Sequence, residues 1–267
     1  MPDATCDDPR LAALDDPLDP DRSDLDAYLG LADELGARSV LDIGCGTGVF
    51  ALLLTDRGVA VTGVDPAGAS VDVARAKPGA DRVTWVVGEA SAALPLQVDL
   101  VTMTANVAQV FTTERAWRQV LATAHDALRP GGHLVLETRV VARRAWEGWT
   151  RELSDSVTEV AGVGPVRSWH EVVRTEETPD GLLVTFDAMN LLPDGTALPS
   201  SSTLRFPTRE RVETSLTATG FDVVDVRDAP DRPGLEWVFV ARRPGVRPRR
   251  PPSGTPDPVV DRAARRG

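Results

Sequence analysis

The segment VLDIGCGTGVF at residues 40–50 constrains the fold of this chain more than any other part of the sequence. A short apolar run, typical of a buried strand, enters a turn with three glycines and continues as an apolar helical stretch. Glycine adopts backbone conformations that other residues avoid, so such a turn lets a ligand approach the backbone and the N-terminus of the helix. A strand, a tight turn and a helix in succession predict a βαβ unit and a parallel sheet.

Apolar runs and helical stretches alternate along most of the remaining chain. Strands are predicted at 39–43, 59–65, 82–88, 98–104 and 133–139, and helices at 24–35, 48–58, 68–77 and 112–128. A further helix is predicted at 208–219, with Thr208 as its N-cap and Gly220 as its stop, followed by strands at 221–227 and 235–242. This alternation predicts right-handed crossovers and an α/β architecture.

The segment at 141–206 departs from this pattern. It contains two Pro-Asp-Gly turns between segments of alternating polarity, which predict antiparallel strands in hairpins. We therefore expect a core at 22–140, an antiparallel β insertion at 141–206 that forms the substrate or lid region, and a return to the core sheet at 207–243. Residues 1–21, rich in Asp and Pro, are expected to form a mobile arm, and the basic, Pro-rich tail at 244–267 is expected to be disordered.

The charge distribution limits the classes of partner. The formal net charge is −11, and the tail contributes about +4 of opposite sign. An acidic body disfavours nonspecific contact with phosphate backbones, so we expect no nucleic-acid partner. The first residues are acidic and contain no apolar run, so we expect no secretory signal. The two cysteines, Cys6 and Cys45, are not expected to form a disulfide. No apolar run is long enough to span a membrane. We expect a cytoplasmic protein, monomeric or homodimeric.

Carboxylates follow three successive predicted strands. Asp42 precedes the glycine turn, Asp65 ends the second strand and Glu89 follows the third. The carboxyl ends of parallel strands share one edge of the sheet, where ligands bind. The glycine turn and these acids fit two ligand classes, dinucleotides and S-adenosylmethionine, and a purely structural turn is the weaker interpretation.

Two details favour S-adenosylmethionine. The glycines at 44–48 have the spacing G-x-G-x-G. The dinucleotide fingerprint, G-x-G-x-x-G, would require a small residue at 49, where this chain has Val49. Asp42 would repel a pyrophosphate, whereas it would attract the ammonium group of a methionyl moiety. Asp65 suits the ribose hydroxyls of either ligand and does not discriminate between them.

Five segments now show a family resemblance. In order, VLDIGCGTG, VTGVD, GEA, DLVTMTANVAQVF and ALRPGGHLVLET resemble the motifs of class I S-adenosylmethionine-dependent methyltransferases. The resemblance covers about 24–140 and 206–242. It implies a Rossmann-like, doubly wound, seven-stranded sheet of order 3-2-1-4-5-7-6, here with the antiparallel β subdomain inserted after the fifth strand. It also implies S-adenosyl-L-methionine as methyl donor and S-adenosyl-L-homocysteine as product.

The resemblance further implies a set of cofactor-binding residues. The glycine turn would pass under the methionyl group and ribose, Asp42 would contact the amino group and Asp65 the ribose hydroxyls. A covering N-terminal helix would bring Tyr28 or Arg22 to the methionyl end. The full set is Asp42, Gly44, Cys45, Gly46, Thr47, Gly48, Asp65, Pro66, Ala67, Glu89, Ala90, Thr104 and Tyr28, with Pro66 and Ala67 flanking the adenine and Glu89 with Ala90 at its edge.

Candidates for catalysis and substrate binding are fewer. Methyl transfer from a sulfonium is an in-line displacement in which the enzyme mainly aligns the acceptor, and a base is needed only if the acceptor must lose a proton. No metal is expected. By the resemblance, the segment from Thr104 to Asn106 would face the sulfonium. Asn106 and His170 are the catalytic candidates, although a packing role for His170 is the competing interpretation.

The substrate site is predicted in the insertion. Trp146, Trp149 and Trp169 either line an apolar pocket or anchor the extra strands. Arg139 either holds a carboxylate of the substrate or belongs to a solvated run of charge, and Asn106 completes the set.

The expected function is methyl transfer to an oxygen or nitrogen atom of a small molecule. The alternatives are a noncatalytic module that binds S-adenosylmethionine, and methylation of protein or RNA.

Overall fold

The computed structural model describes residues 8–245, which form two β-sheets with helices packed on the larger one. The strands are β1 (Ser39–Ile43), β2 (Ala60–Asp65), β3 (Val83–Val87), β4 (Val98–Met103), β5 (Leu128–Arg139), β6 (Ser156–Val160), β7 (Gly164–Thr178), β8 (Gly181–Leu191), β9 (Ala197–Phe206), β10 (Asp222–Asp228) and β11 (Glu236–Arg242). The α-helices are α1 (Pro9–Leu18), α2 (Asp26–Glu34), α3 (Val49–Asp56), α4 (Gly68–Ala76), α5 (Glu114–Ala127), α6 (Arg151–Ser154) and α7 (Arg209–Ala218).

The larger sheet has seven strands in the order β10-β11-β5-β4-β1-β2-β3. Strands β3, β2, β1, β4 and β5 are parallel, and β11 runs antiparallel to both of its neighbours, β5 and β10. Counted within this sheet, the order is 3-2-1-4-5-7-6, so the predicted doubly wound topology is confirmed. The carboxyl ends of β1, β2, β4 and β5 therefore lie at one edge.

Helices cover both faces of this sheet and bury its apolar side chains. On one face, Trp117 and Leu121 of α5 pack with Leu41 and Leu134 of the strands, and on the other Leu29 of α2 packs with strand residues and α3. Each fully buried Leu contributes about 1.5–3 kcal/mol relative to an exposed one.

Residues 156–206 form the second sheet, which is antiparallel and has the order β6-β7-β8-β9. The predicted antiparallel insertion after the fifth strand is thus confirmed. The chain then re-enters the core at α7, whose N-cap is Thr208 as predicted, since its side chain accepts a hydrogen bond from the Arg211 N–H.

The N-terminal segment differs from its prediction. Residues 9–18, expected within a mobile arm, instead form α1. Asp8 caps this helix by accepting a bond from the Arg10 N–H, and Pro9 occupies the first turn, where its missing N–H has no cost. Leu11 and Leu14 pack on a cluster from the second sheet. Asp8 and Pro9, two of the residues that suggested disorder, are therefore helix-start signals.

Two smaller points complete the comparison with the sequence. Strand β5 begins at Leu128 rather than at 133. Pro130 and the two glycines after it belong to this extended strand and do not precede it. The expected disorder at 244–267 falls almost entirely outside the described residues, as does the start of the expected arm. Between residues 8 and 245, no helix combines the length and apolar character needed to cross a membrane.

Candidate functional site

The glycine turn lies between β1 and α3 and is held by Asp65. All three glycines of the turn have positive φ, at +74° for Gly44, +51° for Gly46 and +80° for Gly48. One Asp65 carboxylate oxygen accepts the Gly46 N–H at 3.0 Å and the other accepts the Ala67 N–H at 2.8 Å. Each oxygen keeps a further lone pair, so Asp65 can still accept bonds from ribose hydroxyls.

Two glycines of the turn have different surroundings. A Cβ on Gly44 would lie 2.6 Å from the side chain of Val107, in the segment after β4, so only glycine fits there. A Cβ on Gly46 would meet nothing within 4 Å, so this part of the turn faces open space. The turn therefore packs tightly on the protein side and leaves its Gly46 side free for a ligand.

Asp42 is a buried carboxylate at the end of β1. It is 2% exposed, and its Oδ1 accepts a bond from the Thr102 hydroxyl of β4 at 2.8 Å. Burial, together with the nearby Asp65 carboxylate, raises the pKa of Asp42 to about 7. No cation among the described residues forms a salt bridge with Asp42. A positively charged ligand group would supply that missing charge.

Helix α1 covers the glycine turn, which the sequence analysis did not anticipate. The Thr47 hydroxyl donates to Asp16 of α1 at 2.7 Å, and Lys77 forms a salt bridge with the same carboxylate. On α2, Tyr28 packs edge-on against Phe50 and is 4% exposed, yet its hydroxyl has no hydrogen-bond partner among residues 8–245. An unpaired buried hydroxyl is costly, which is consistent with a ligand that completes it.

The remaining predicted cofactor residues are placed as follows. Ala67 is buried, Pro66 and Glu89 are exposed, and Ala90 begins a short 3-10 turn after β3. Cys45 is buried, and burial raises the pKa of its thiol, which makes it a poor nucleophile. Arg22, the alternative to Tyr28, pairs with Asp24 at 3.3 Å.

The segment after β4 is strained and is held by acids. Ala105 and Asn106 have φ values of +53° and +60°, unusual for residues other than glycine. The Asn106 N–H donates to Glu137 Oε1 at 2.8 Å, and its side-chain Nδ2 donates to Glu236 Oε1 at 3.0 Å. The Asn106 Oδ1 is buried and has no hydrogen-bond partner in the part of the chain that the structure describes. Such strain concentrates at functional sites.

Glu137 and Glu236 were missed by the sequence analysis. Both are buried, at 4% and 3% exposure, at the same edge of the sheet as Asn106. Arg232 donates to Glu236 at 2.9 Å, whereas the only hydrogen-bond donor to Glu137 among the described residues is the Asn106 N–H. Burial and the adjacent Glu236 raise the pKa of Glu137 to about 8. The available signal was a glutamate inside an otherwise apolar strand.

Arg139 connects these acids with the insertion. Its backbone N–H and Nη1 donate to Gln109 Oε1 at 3.2 and 3.1 Å, and its Nε lies 4.0 Å from Glu236. The guanidinium also lies 5.3 Å from the ring centroid of Trp149. Arg139 is therefore part of a buried network and not of a solvated run of charge.

An aromatic cluster of the insertion lies beyond Arg139. Trp149 is 5.1 Å from Phe186, 5.9 Å from Phe206 and 6.3 Å from His170, and Trp146 is 4.7 Å from Phe206, all between ring centroids. Trp146 and Trp149 also line an open groove of about 390 Å³. His170 is half-buried in this cluster, and burial lowers its pKa.

Trp169 is not brought into this cluster. It lies against Arg151 and Arg167, at 4.3 and 6.0 Å, rather than against the other tryptophans. Side chains alternate between the two faces of a strand, so Trp169 and its neighbour His170 on β7 point in opposite directions. The sequence analysis placed three tryptophans in one predicted site, whereas the structure brings only Trp146 and Trp149 together.

Comparisons with known proteins show which sequences and folds this chain resembles. Residues 40–132 match the model of a family described as "Methyltransferase domain". An uncharacterized methyltransferase of Mycobacterium tuberculosis is 36% identical over 126 residues, covering 45% of this chain and 47% of the relative. The match thus spans about half the length of that relative.

Solved structures extend the likeness to most of the chain. The CcbJ methyltransferase from Streptomyces caelestis superposes with a TM-score of 0.70 at 20% identity, covering 90% of this chain and 98% of that one. An S-adenosylmethionine-bound amino pentose methyltransferase from Micromonospora echinaspora gives a TM-score of 0.62 at 22% identity, covering 84% and 93%. The chain therefore shares the fold of these solved methyltransferases, and its residues 40–132 match the model of a methyltransferase domain.

Proposed function

We propose that this chain is an S-adenosylmethionine-dependent methyltransferase that transfers a methyl group to an oxygen or nitrogen atom of a small molecule. The observation that carries the proposal is the uncompensated carboxylate of Asp42, buried at the end of β1 beside a glycine turn that Asp65 holds open. A methionyl ammonium would neutralise Asp42, whereas a diphosphate at this place would be repelled.

The residues present fit the methyl donor. Gly46 faces open space, the Asp65 oxygens retain lone pairs for ribose hydroxyls, and the Tyr28 hydroxyl is buried without a partner. Glu89 and Pro66, both exposed, follow the ends of β3 and β2, where the adenine would lie. The bound donor supplies an activated methyl group on a positively charged sulfur.

The chain contributes alignment and exclusion of water. The strained residues Ala105 and Asn106 follow β4, and we infer that the acceptor binds near them, between the donor side at Asp42 and the aromatic cluster of Trp149. An acceptor held between them is placed for in-line attack, which is the main source of acceleration in such a displacement. The groove at Trp146 and Trp149 offers an apolar wall for a small molecule, and two enzymes that share this fold are named for small-molecule acceptors, an amino pentose and 1,6-didemethyltoxoflavin.

Calorimetry with S-adenosylmethionine and, separately, with NAD tests the donor. We expect saturable binding of S-adenosylmethionine and none of NAD, and the reverse result would refute the proposal. Transfer of a labelled methyl group to a metabolite panel, with cell lysate as a second acceptor, then tests the reaction. Label in small molecules supports the proposal, label only in protein or RNA would reassign the acceptor, and binding without transfer would leave a noncatalytic module.

A further inference from the structure

We propose that the methyl acceptor is an amine, held by Asn106 Oδ1 and by the Glu137 carboxylate, and that Glu137 removes its proton before methyl transfer. This inference rests on the proposed methyltransferase function and assigns the acceptor class and the base to two residues at the end of β4 and β5.

The unpaired oxygen of Asn106 is the first observation. Asn106 is 4% exposed and lies among the acids, and its Nδ2 donates to Glu236 at 3.0 Å. This bond fixes the orientation of the amide, because a flipped amide would place its oxygen against a carboxylate. The atom left without a partner is therefore an acceptor, Oδ1. A ligand that completes it must supply a donor, such as N–H.

The charge of the surrounding cluster is the second observation. Arg232 forms salt bridges with Asp231, at 3.1 Å, and with Glu236, at 2.9 Å. Arg139 lies 4.0 Å from Glu236. Glu137 has neither of these guanidinium groups within salt-bridge distance. When Glu137 is ionised, above its raised pKa of about 8, the three carboxylates and two guanidinium groups leave one negative charge at the edge where the acceptor would enter. That charge suits an ammonium ion and disfavours a carboxylate or phosphate substrate.

The chemistry of an amine matches the properties of Glu137. The ammonium form has no lone pair and must lose a proton before it attacks. An aliphatic ammonium has a pKa of about 10, and the raised pKa of Glu137, about 8, brings the two groups close enough for proton transfer. An ordinary surface glutamate would be a far weaker base for this step.

The step balances without a further reactant. One proton moves from the ammonium to the Glu137 carboxylate, and the nitrogen lone pair forms the new C–N bond. The C–S bond breaks, and its electron pair stays on sulfur, which becomes neutral while the nitrogen gains the positive charge. Glu137 then returns its proton to solvent.

A hydroxyl acceptor fits these observations less well. It would satisfy Asn106 Oδ1, but it is uncharged and gains nothing from the unbalanced Glu137 carboxylate. Its pKa also lies far above that of Glu137.

The test compares acceptors that differ in one group. Wild-type protein is given S-adenosylmethionine and matched pairs, such as cyclohexylamine with cyclohexanol and D-glucosamine with D-glucose, within a wider panel of amines and alcohols. We expect methylation in the amine set alone. Methylation confined to alcohols, or an amine set with no turnover at all, would overturn the inference.

Variants of Glu137 give a second readout. With the best amine, Glu137→Gln should lower kcat/KM by about 100-fold or more, the range of a lost general base, and should shift the acid-side fall in rate upward, toward the pKa of the free amine. Glu137→Asp should restore part of the activity. Glu159→Gln, which removes the same charge from an exposed position on β6, should behave as wild type.

Binding of the methyl donor separates the two proposals. If the Glu137 variants bind S-adenosylmethionine as tightly as wild type in calorimetry, they are folded and the donor site is intact. An unchanged pH profile in Glu137→Gln would then overturn the role of Glu137 alone. Wild-type protein that binds no S-adenosylmethionine would instead overturn the proposed function.

Discussion

Replacing Asp42 with asparagine tests the electrostatics of the donor site. Burial moves the pKa of this carboxyl from 3.8 to about 7, and asparagine keeps its shape without the charge. The new side-chain oxygen can still accept the bond that the Thr102 hydroxyl now donates at 2.8 Å. We expect Asp42→Asn to stabilise the free protein at pH 8 and to weaken its affinity for S-adenosylmethionine.

The magnitude follows from the pKa shift. The shift from 3.8 to about 7 is about three units, or about 4 kcal/mol at about 1.4 kcal/mol per unit. Because the folded pKa of Asp42 lies above the unfolded one, the contribution of this carboxyl to the free energy of unfolding is greatest below pH 3.8. That contribution is lost as the pH rises to about 7. The buried amide N–H₂ of asparagine would cost about 1–3 kcal/mol if unpaired. The net gain at pH 8 is therefore about 1–3 kcal/mol.

Urea unfolding between pH 5 and 9 measures the first effect. The free energy of unfolding of the variant should exceed that of wild type at pH 8, and the difference should shrink as the pH falls toward 5. Calorimetry measures the second effect, for which we expect a loss of about 10-fold or more, since an ion pair near a protein surface is worth several kcal/mol. Asp81→Asn, at an exposed position, is the matched control.

Two results would refute this reasoning. Parallel stability curves for wild type and Asp42→Asn would show that the Asp42 carboxyl titrates normally. An unchanged affinity for S-adenosylmethionine would show that no ligand cation lies beside it.

The remaining predictions concern the helix cover and the insertion. Tyr28→Phe should raise the stability of the free protein by about 1 kcal/mol, because it removes an unpaired buried hydroxyl, and should weaken S-adenosylmethionine binding; lower stability with full affinity would contradict this. Asp16→Ala should free α1 from Thr47, so that proteolysis near α1 and dissociation of S-adenosylmethionine both become faster, and unchanged rates would count against the cover. Trp149→Ala should raise KM for the acceptor about 10-fold or more at constant donor affinity, whereas Trp169→Ala should not.

The order of the large sheet was predictable from the sequence, while the start of the chain was not. The apolar runs predicted the strands, because each strand carries its own signal, and the family resemblance implied the order in which they pair. Helix α1 was missed because Asp8 and Pro9 signal either disorder or a helix start, and only the packing of Leu11 and Leu14 on the second sheet decides between the two.

The acids at the acceptor side were missed for a different reason. Glu137 and Glu236 lie far apart in the chain and meet through the antiparallel pairing of β5 with β11, in which Val238 faces Glu137 and Glu236 faces Arg139. Sequence patterns give a strand but not its register with a distant partner. The positive φ of Asn106 directs its backbone N–H to Glu137 and its side chain to Glu236. No sequence pattern around Asn106 indicates this conformation.

Gln109 ties together three parts of the molecule that are otherwise separate. Its Nε2 donates to the carbonyl oxygen of Arg205 at the end of β9, and its Oε1 accepts from both the backbone and the side chain of Arg139. A single fully buried amide thus joins the segment after β4, the last core strand before the insertion and the final strand of the insertion. Any exchange of the β6–β9 sheet for another substrate module, by evolution or by engineering, would have to supply this amide with a replacement for the Arg205 carbonyl.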